Sequence, residues 1–228
     1  MEARERTVLY YVPRDNSPAP FRTWRDGITD TRTKLVVTAR IARLRGGNFG
    51  DSRPIGHGAS ENRIDFGPGY RIYYGIDGQD IVLLYGGDKS SQLVTSEQRR
   101  ISGRTIGSEK MKRNEDYKAD LLEELRSDPD YAAEYLSAAK ADSNEAFLVA
   151  LRDVAEARMG MKKVAKAAEV NRENLYRALS RDGNPRIGTI DAVLDVLGIE
   201  NKFVPKRVAA GGRRRWRNIR RQRKASDD

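Results

Sequence analysis

Asn171-Arg172-Glu173-Asn174-Leu175-Tyr176-Arg177, followed by Gly183-Asn184-Pro185, is the stretch whose reading decides the second half of this chain. Leu175 and Leu179 stand four residues apart and predict an inward stripe, while Asn171 has the side chain of a helix N-cap. Upstream, Phe147, Leu148, Leu151, Val154 and Ala155 recur at three- and four-residue spacings, the mark of an amphipathic helix capped by Asp142-Ser143-Asn144 and ended by Gly160. Met161, Val164, Ala165 and Ala168 set the inner face of a short helix between the two, and Val170 closes the turn. Downstream, Ile190, Val193, Leu194 and Leu197 line a further helix with Gly198 at its C-cap.

Residues 143–198 therefore predict a helix-turn-helix bundle. Its outward residues Asn171, Arg172, Asn174, Tyr176 and Arg177 have the chemistry that a DNA groove selects, since Arg can be bidentate to guanine and Asn to adenine. The competing reading of the same five residues is the solvated face of a helical bundle. Such a reader usually works as a dimer on a palindromic operator, so operator DNA and a second copy of the chain are the expected partners.

Charge supports a nucleic-acid partner, and its placement is uneven. The 228 residues carry a net charge of +10, yet residues 202–224 alone hold 11 Lys or Arg and no acid. The basic tail, 206–228, includes Arg213, Arg214, Arg215, Trp216 and Arg217; it is too charged to form a core and suits a phosphate backbone or a merely solubilising role. Ahead of it, residues 1–108 are net basic and residues 109–201 net acidic. The absence of cysteine excludes a disulfide framework and thiolate chemistry, and with one histidine no metal site or cofactor is expected. No apolar run approaches a membrane span, so the expectation is a cytoplasmic protein without a membrane partner.

The first half follows another plan. Thr7–Val12 reads as a strand; Phe21, Trp24, Ile28, then Leu35, Val36, Ala39, Ala42 and Leu44 predict two helices, the second stopped by Gly46-Gly47-Asn48. Residues 62–66, 70–76 and 80–85 then alternate or run apolar between the turns Gly67-Pro68-Gly69 and Asp77-Gly78. Strand, two helices and an antiparallel meander make an α+β unit with helices on one sheet face. The expected fold class is thus α+β followed by an all-α helix-turn-helix bundle.

Phe21-x-x-Trp24, Gly47-Asn48-Phe49-Gly50-Asp51, Gly67-Pro68-Gly69-Tyr70-Arg71 and Gly86-Gly87-Asp88-Lys89-Ser90-Ser91-Gln92 resemble toxins of the RelE/ParE superfamily, of the HigB-like addiction-module killer kind. Asp128-Pro129, Ala150-Leu151-Arg152-Asp153-Val154-Ala155 and Arg172-Glu173-x-Leu175-Tyr176 resemble a HigA-like antidote protein. These resemblances imply a toxin-like domain over 1–92, a linker over 93–114 and an antitoxin-like domain over 115–205. Met111-Lys112-Arg113 stands where a separate antidote could begin, which suggests a gene fusion.

The toxin resemblance implies an endoribonuclease acting on messenger RNA, alone or at the ribosome, in which basic side chains and tyrosine stabilise phosphate charge and move protons. The candidates are Arg63, Arg71, Tyr73 and Lys89. Arg63 and Arg71 share a face only if their strands pair across Gly67-Pro68-Gly69; otherwise they are sheet arginines balanced by Glu61 and Asp65. His57, between two glycines, is either a proton donor or an incidental loop residue. A gyrase-directed toxin half is the other target class. Two features depart from the toxin pattern: residues 93–107 lack helical periodicity, and Asn62 stands where a strand should carry an apolar side chain. The antidote resemblance implies autorepression, and neutralisation in cis. Asp116, Asp120, Glu123, Glu124, Asp128, Asp130 and Glu134 face a basic half tethered at roughly millimolar effective concentration. Leu121, Leu122 and Leu125 would supply apolar contact there or fill the antidote's own core.

Overall fold

The computed structural model describes residues 5–13, 15, 17–56, 58–89, 114–180 and 183–202. Its first half is a mixed sheet: β1 (Val8–Tyr11), β2 (Ser52–Gly56), β3 (Ala59–Ile64), β4 (Tyr70–Asp77), β5 (Asp80–Asp88) and β6 (Asn114–Asp116), in the order β2-β3-β4-β5-β1-β6. Strands β2, β3, β4 and β5 pair antiparallel in succession, β1 lies parallel to β5, and β6 is antiparallel to β1. Helices α1 (Pro20–Asp26) and α2 (Thr31–Arg45) connect β1 to β2.

Alternation along the strands sends Val8, Tyr10, Ile64, Ile72, Tyr74, Ile81 and Leu83 to the helix side, where they join Phe21, Leu35, Val37, Ile41 and Leu44 in the main core. The opposite face carries a smaller cluster, Ala59, Tyr73, Val82 and Leu84, with Tyr11 and Tyr85 against it. The register of β4 on β5 shifts between Tyr73 and Tyr74, leaving Leu84 as the extra residue, and this bulge puts Leu84 and Tyr85 in the same small cluster.

Three expectations about the sheet are corrected. Strand β2 was not foreseen, because Ser52-Arg53-Pro54-Ile55-Gly56 lies at the sheet edge, is mostly exposed and lacks an apolar alternation. Strand β5 continues beyond Tyr85 to Asp88 through Gly86-Gly87. Gly86 is required there by Trp24: a Cβ at that position would fall 1.9 Å from Trp24 Cε3. Asn62 in turn is fully buried inside β3 and fully used, donating to the Phe49 carbonyl at 2.7 Å and to Ser52 Oγ at 2.8 Å. Its own carbonyl oxygen accepts from Arg40 at 3.3 Å. A polar side chain inside the strand thus holds the loop after α2, where an apolar one would leave that carbonyl without its donor.

The second half is helical: α3 (Tyr117–Ser127), α4 (Pro129–Asp142), α5 (Asn144–Arg158), α6 (Met161–Ala167), α7 (Arg172–Ala178) and α8 (Ile187–Leu197). Side chains cap α3, α4, α5 and α7: Asp116, Asp128, Ser143 and Asn171 each accept from a backbone N–H of the first turn. Gly198, at φ 70°, ends α8 in the left-handed conformation that glycine adopts without strain.

The two halves share one core. Helix α2 packs along α4 and α5, α3 packs on β1, and Tyr117, Leu121, Leu125, Tyr135, Leu136 and Leu151 belong to the same contiguous cluster as Tyr10 and Ile41. Strand β6 adds to the free edge of β1 with Leu9 opposite Asp116 and Tyr10 opposite Glu115. The expected boundary at residue 115 therefore lies inside a strand of the first half's sheet. Leu121 and Leu125 are buried in the joint core, so both roles foreseen for them are one role. No described helix is long and apolar enough to cross a membrane.

Candidate functional site

Helix α7 and what seats it form the first candidate site. Leu175 and Leu179 are buried and hold the helix on the bundle, with α7 packing on α6. Arg172, Glu173, Asn174, Tyr176 and Arg177 point outward and are exposed. Asn171 spends its Oδ1 on the cap, accepting from Glu173 N at 2.9 Å and Asn174 N at 3.2 Å. Along the outward face the Arg172 guanidinium sits over the Tyr176 ring at 5.5 Å, and Arg177 donates to Asn174 Oδ1 at 2.8 Å. Two cations and two amides are thereby pre-ordered on one short helix that borders a groove running to Arg6 and Lys118. The tail residues Arg213, Arg214, Arg215, Trp216 and Arg217 lie outside the described residues, as does His57.

The second candidate site lies on β3 and β4. Their register sets Glu61 opposite Tyr73 and Arg63 opposite Arg71, which the sequence left open. Two arginines directly across a sheet repel, and Glu61, two residues along the same face, answers both. Its Oε1 accepts from Arg63 Nε at 2.5 Å, while Oε2 lies 3.4 Å from Arg71 Nε and accepts from the Tyr73 hydroxyl at 3.4 Å. Asp65, the other partner considered for these arginines, is exposed beyond the end of β3. Burial pushes the Tyr73 phenol up to about 12, with the Glu61 charge adding to the shift and Arg71 opposing it. Lys89 is exposed just past β5, two residues beyond Gly87, the cross-strand partner of Arg71. Three of the four foreseen residues thus converge on one carboxylate that the sequence had offered only as a counter-charge.

The third feature joins the halves. Arg25 on α1, almost wholly buried, pairs with Glu124, which also accepts from Lys34 Nζ at 3.0 Å. Burial alone would raise the Glu124 carboxyl, but the Arg25 charge, its hydrogen bond and Lys34 hold it below the usual 4.5. Arg22 lies over the Tyr10 ring and bridges Glu115 and Asp120, the latter at 2.7 Å. Arg40 binds Asp142 Oδ1 through Nε at 2.9 Å and Nη2 at 2.7 Å, and through Nη1 donates to the Arg63 carbonyl. Arg45 pairs with Asp153 and Glu5.

Of the acids foreseen to face the basic half, Asp120 and Glu124 do so. Asp116 and Asp128 cap helices instead, and Glu123 pairs within its own helix with Arg126 at 2.5 Å. The sequence reading missed Arg22, Arg25, Arg40 and Arg45 as the receiving set. Their signal was the basic surplus of α1 and α2 against the acids of α3.

These observations define a class: a mixed α/β unit and a helical unit fused through one core, with an outward polar helix seated on the second. Residues 115–205 match the family described as probable addiction module antidote protein, and through that segment the chain belongs to it. It is also similar to two uncharacterized proteins of Haemophilus influenzae. One is 40% identical over 88 residues, 38% of this chain and 89% of that protein. The other is 34% identical over 90 residues, 40% of this chain and 92% of that protein. No solved structure gives a significant match.

Proposed function

We propose that this chain is a two-part toxin–antitoxin protein whose antidote half reads operator DNA through α7, as a homodimer, and represses its own transcription. The observation that carries the reading is the α7 surface: Arg172, Asn174, Tyr176 and Arg177 exposed together on a helix that Leu175 and Leu179 hold, inside an antidote-family segment. In support, two short helices, α6 and α7, follow one another across a tight turn with α7 facing outward, an order that a major-groove reader would use. Arg177 and Asn174 would contact base edges, Arg172 a guanine or a phosphate, and Asn171 holds the helix start. The test is footprinting of the full chain on the DNA upstream of its gene. A protected palindrome lost in Arg172→Ala and Arg177→Ala is expected; no protection at low salt overturns the reading.

A second reading concerns the first half, whose toxin-like activity would be cleavage of RNA. What favours it is the convergence of Arg63, Arg71 and Tyr73 on one sheet face around Glu61. Two guanidinium groups suit a scissile phosphate, and the Tyr73 hydroxyl beside them can donate a hydrogen bond to it. The antidote half reaches the first half through α1, α2 and the β1 edge rather than through Glu61, so neutralisation in cis would act by holding those elements. Inducing the full chain and its Arg25→Ala variant in a bacterial host, with growth and messenger RNA followed, tests this. RNA cleavage by the variant alone supports a restrained ribonuclease; growth arrest with intact RNA points to a target such as gyrase, and no effect to a retired toxin.

A further inference from the structure

Helix α7 has a seat that reaches beyond its own bundle. Its last turn leaves carbonyls without intrahelical donors, and one of them, that of Leu179, accepts from Arg152 Nη2 at 2.7 Å. The other terminal nitrogen of Arg152, Nη1, donates to Glu5 Oε2 at 2.6 Å. Glu5 stands just before β1 in the first half, 147 residues away in sequence, and its second oxygen is taken by Arg45. Arg45 is clamped in turn by Asp153, next to Arg152 on α5. Arg152 is 13% exposed and Glu5 16%, so water competes little for either. Glu5, Arg45 and Arg152 line the same groove as Asn171, Arg172 and Arg177.

From this geometry we infer that Arg152 is a positioning residue for the DNA-reading helix, and that Glu5 of the toxin-like half holds Arg152 in place. The first half thereby sets the pose in which α7 meets DNA. The inference rests on the DNA-reading proposal for its functional consequence, while the positioning itself is a property of the free protein. A planar guanidinium can bridge a carboxylate and a carbonyl at once, which a lysine ammonium on the same stem does far less well. Removing the Glu5 charge leaves the bond to Leu179 in place but lets the guanidinium swing, so the end of α7 loosens without a cavity forming in the core.

The experiment uses the full chain with Glu5→Gln, Arg152→Lys and the double variant. Backbone amide exchange is followed by mass spectrometry, and binding of a fluorescein-labelled duplex from upstream of the gene is compared with a shuffled duplex. Faster exchange confined to residues 172–180, with about a tenfold loss of preference for the upstream duplex and no further loss in the double variant, is expected. Unchanged exchange in α7, or exchange accelerated equally through α2 and α5, overturns the inference. If the unmodified chain binds neither duplex, the DNA-reading proposal fails, and the exchange arm still decides whether Glu5 and Arg152 set the helix.

Discussion

Arg45 and Asp153 meet fork to fork across the junction of the two halves, Nη1 to Oδ2 at 2.6 Å and Nη2 to Oδ1 at 2.9 Å, with side-chain exposures of 2% and 0%. Tyr135 donates a further hydrogen bond to Asp153 Oδ2 at 3.1 Å. A pair this dry is costly to break from one side, because Asp153→Ala leaves the buried Arg45 guanidinium with Glu5 alone of its two carboxylate partners. Asp153→Ala is expected to lower stability by about 3–5 kcal/mol in urea unfolding of the full chain. Arg45→Met combined with Asp153→Leu should recover much of that loss, since it removes the two driest charges together and leaves Glu5 its partner Arg152. A single-variant loss below about 1 kcal/mol would mean that water reaches the pair.

Glu124 gives the same junction a pH dependence. Its carboxyl is held below the usual 4.5 because the Arg25 charge and hydrogen bond, with Lys34, outweigh the effect of burial. The unfolded chain therefore takes up a proton at this carboxyl before the folded one does. Its contribution is present above pH 4.5 and is lost as pH falls through the depressed folded value. Chemical denaturation at pH 6 and at successive steps below 4.5 should show stability falling with acid. Glu124→Gln should be less stable at pH 6 and show a shallower fall. An identical slope in the variant would place the acid sensitivity elsewhere.

Gly86 and Trp24 make a contact that admits no side chain on the strand. The Cβ of an alanine would stand 1.9 Å from Trp24 Cε3 and 2.1 Å from Cζ3, and the ring, held in tilted contacts with Phe21 and Tyr70, has little room to retreat. Gly86→Ala is expected to cost about 1–3 kcal/mol or more, with a changed tryptophan emission spectrum. Adding Trp24→Leu should relieve the clash, making the double variant more stable than Gly86→Ala alone.

The parts legible in the sequence were those written in periodicity. Leu175 and Leu179, Val164 and Ala165, and Leu151 and Val154 lie inward as their spacing required, because a helix converts a three- or four-residue repeat directly into a face. Gly67-Pro68-Gly69 and Asp77-Gly78 likewise turned where expected. What stayed hidden depends on partners distant in the chain. Arg25 and Arg45 look like surface residues of α1 and α2 until Glu124 and Asp153, about a hundred residues on, neutralise them. Asn62 breaks the alternation of β3 because its partners are the Phe49 carbonyl, in the loop after α2, and Ser52, the first residue of a strand that itself carries no apolar pattern. Glu61 read as a simple counter-charge, since only the register with β4 brings Tyr73 to it.

That register makes the proton inventory of the sheet face measurable. Tyr73 sits among Glu61, Arg71 and the small apolar cluster, and burial first, then the Glu61 charge, pushes its phenol up to about 12 against the opposing pull of Arg71. Glu61→Gln removes one of the two raising influences and leaves Arg71 in place, so the phenol should titrate lower than in the unmodified chain. Ultraviolet absorbance of tyrosinate, taken as the difference between each protein and its Tyr73→Phe counterpart, isolates this one residue. In the unmodified chain the folded phenol keeps its proton after the unfolded one has lost it, so Tyr73 contributes stability below pH 10 that is lost as pH rises towards 12. The same Glu61→Gln change frees Arg63 and Arg71 from their shared carboxylate. If the face binds RNA phosphate, affinity for a short RNA oligonucleotide should rise about tenfold, since the half-buried Glu61 anion no longer competes. A phenol that titrates at the same pH in both proteins would show that burial alone sets it, and that Glu61 does not govern the proton at Tyr73.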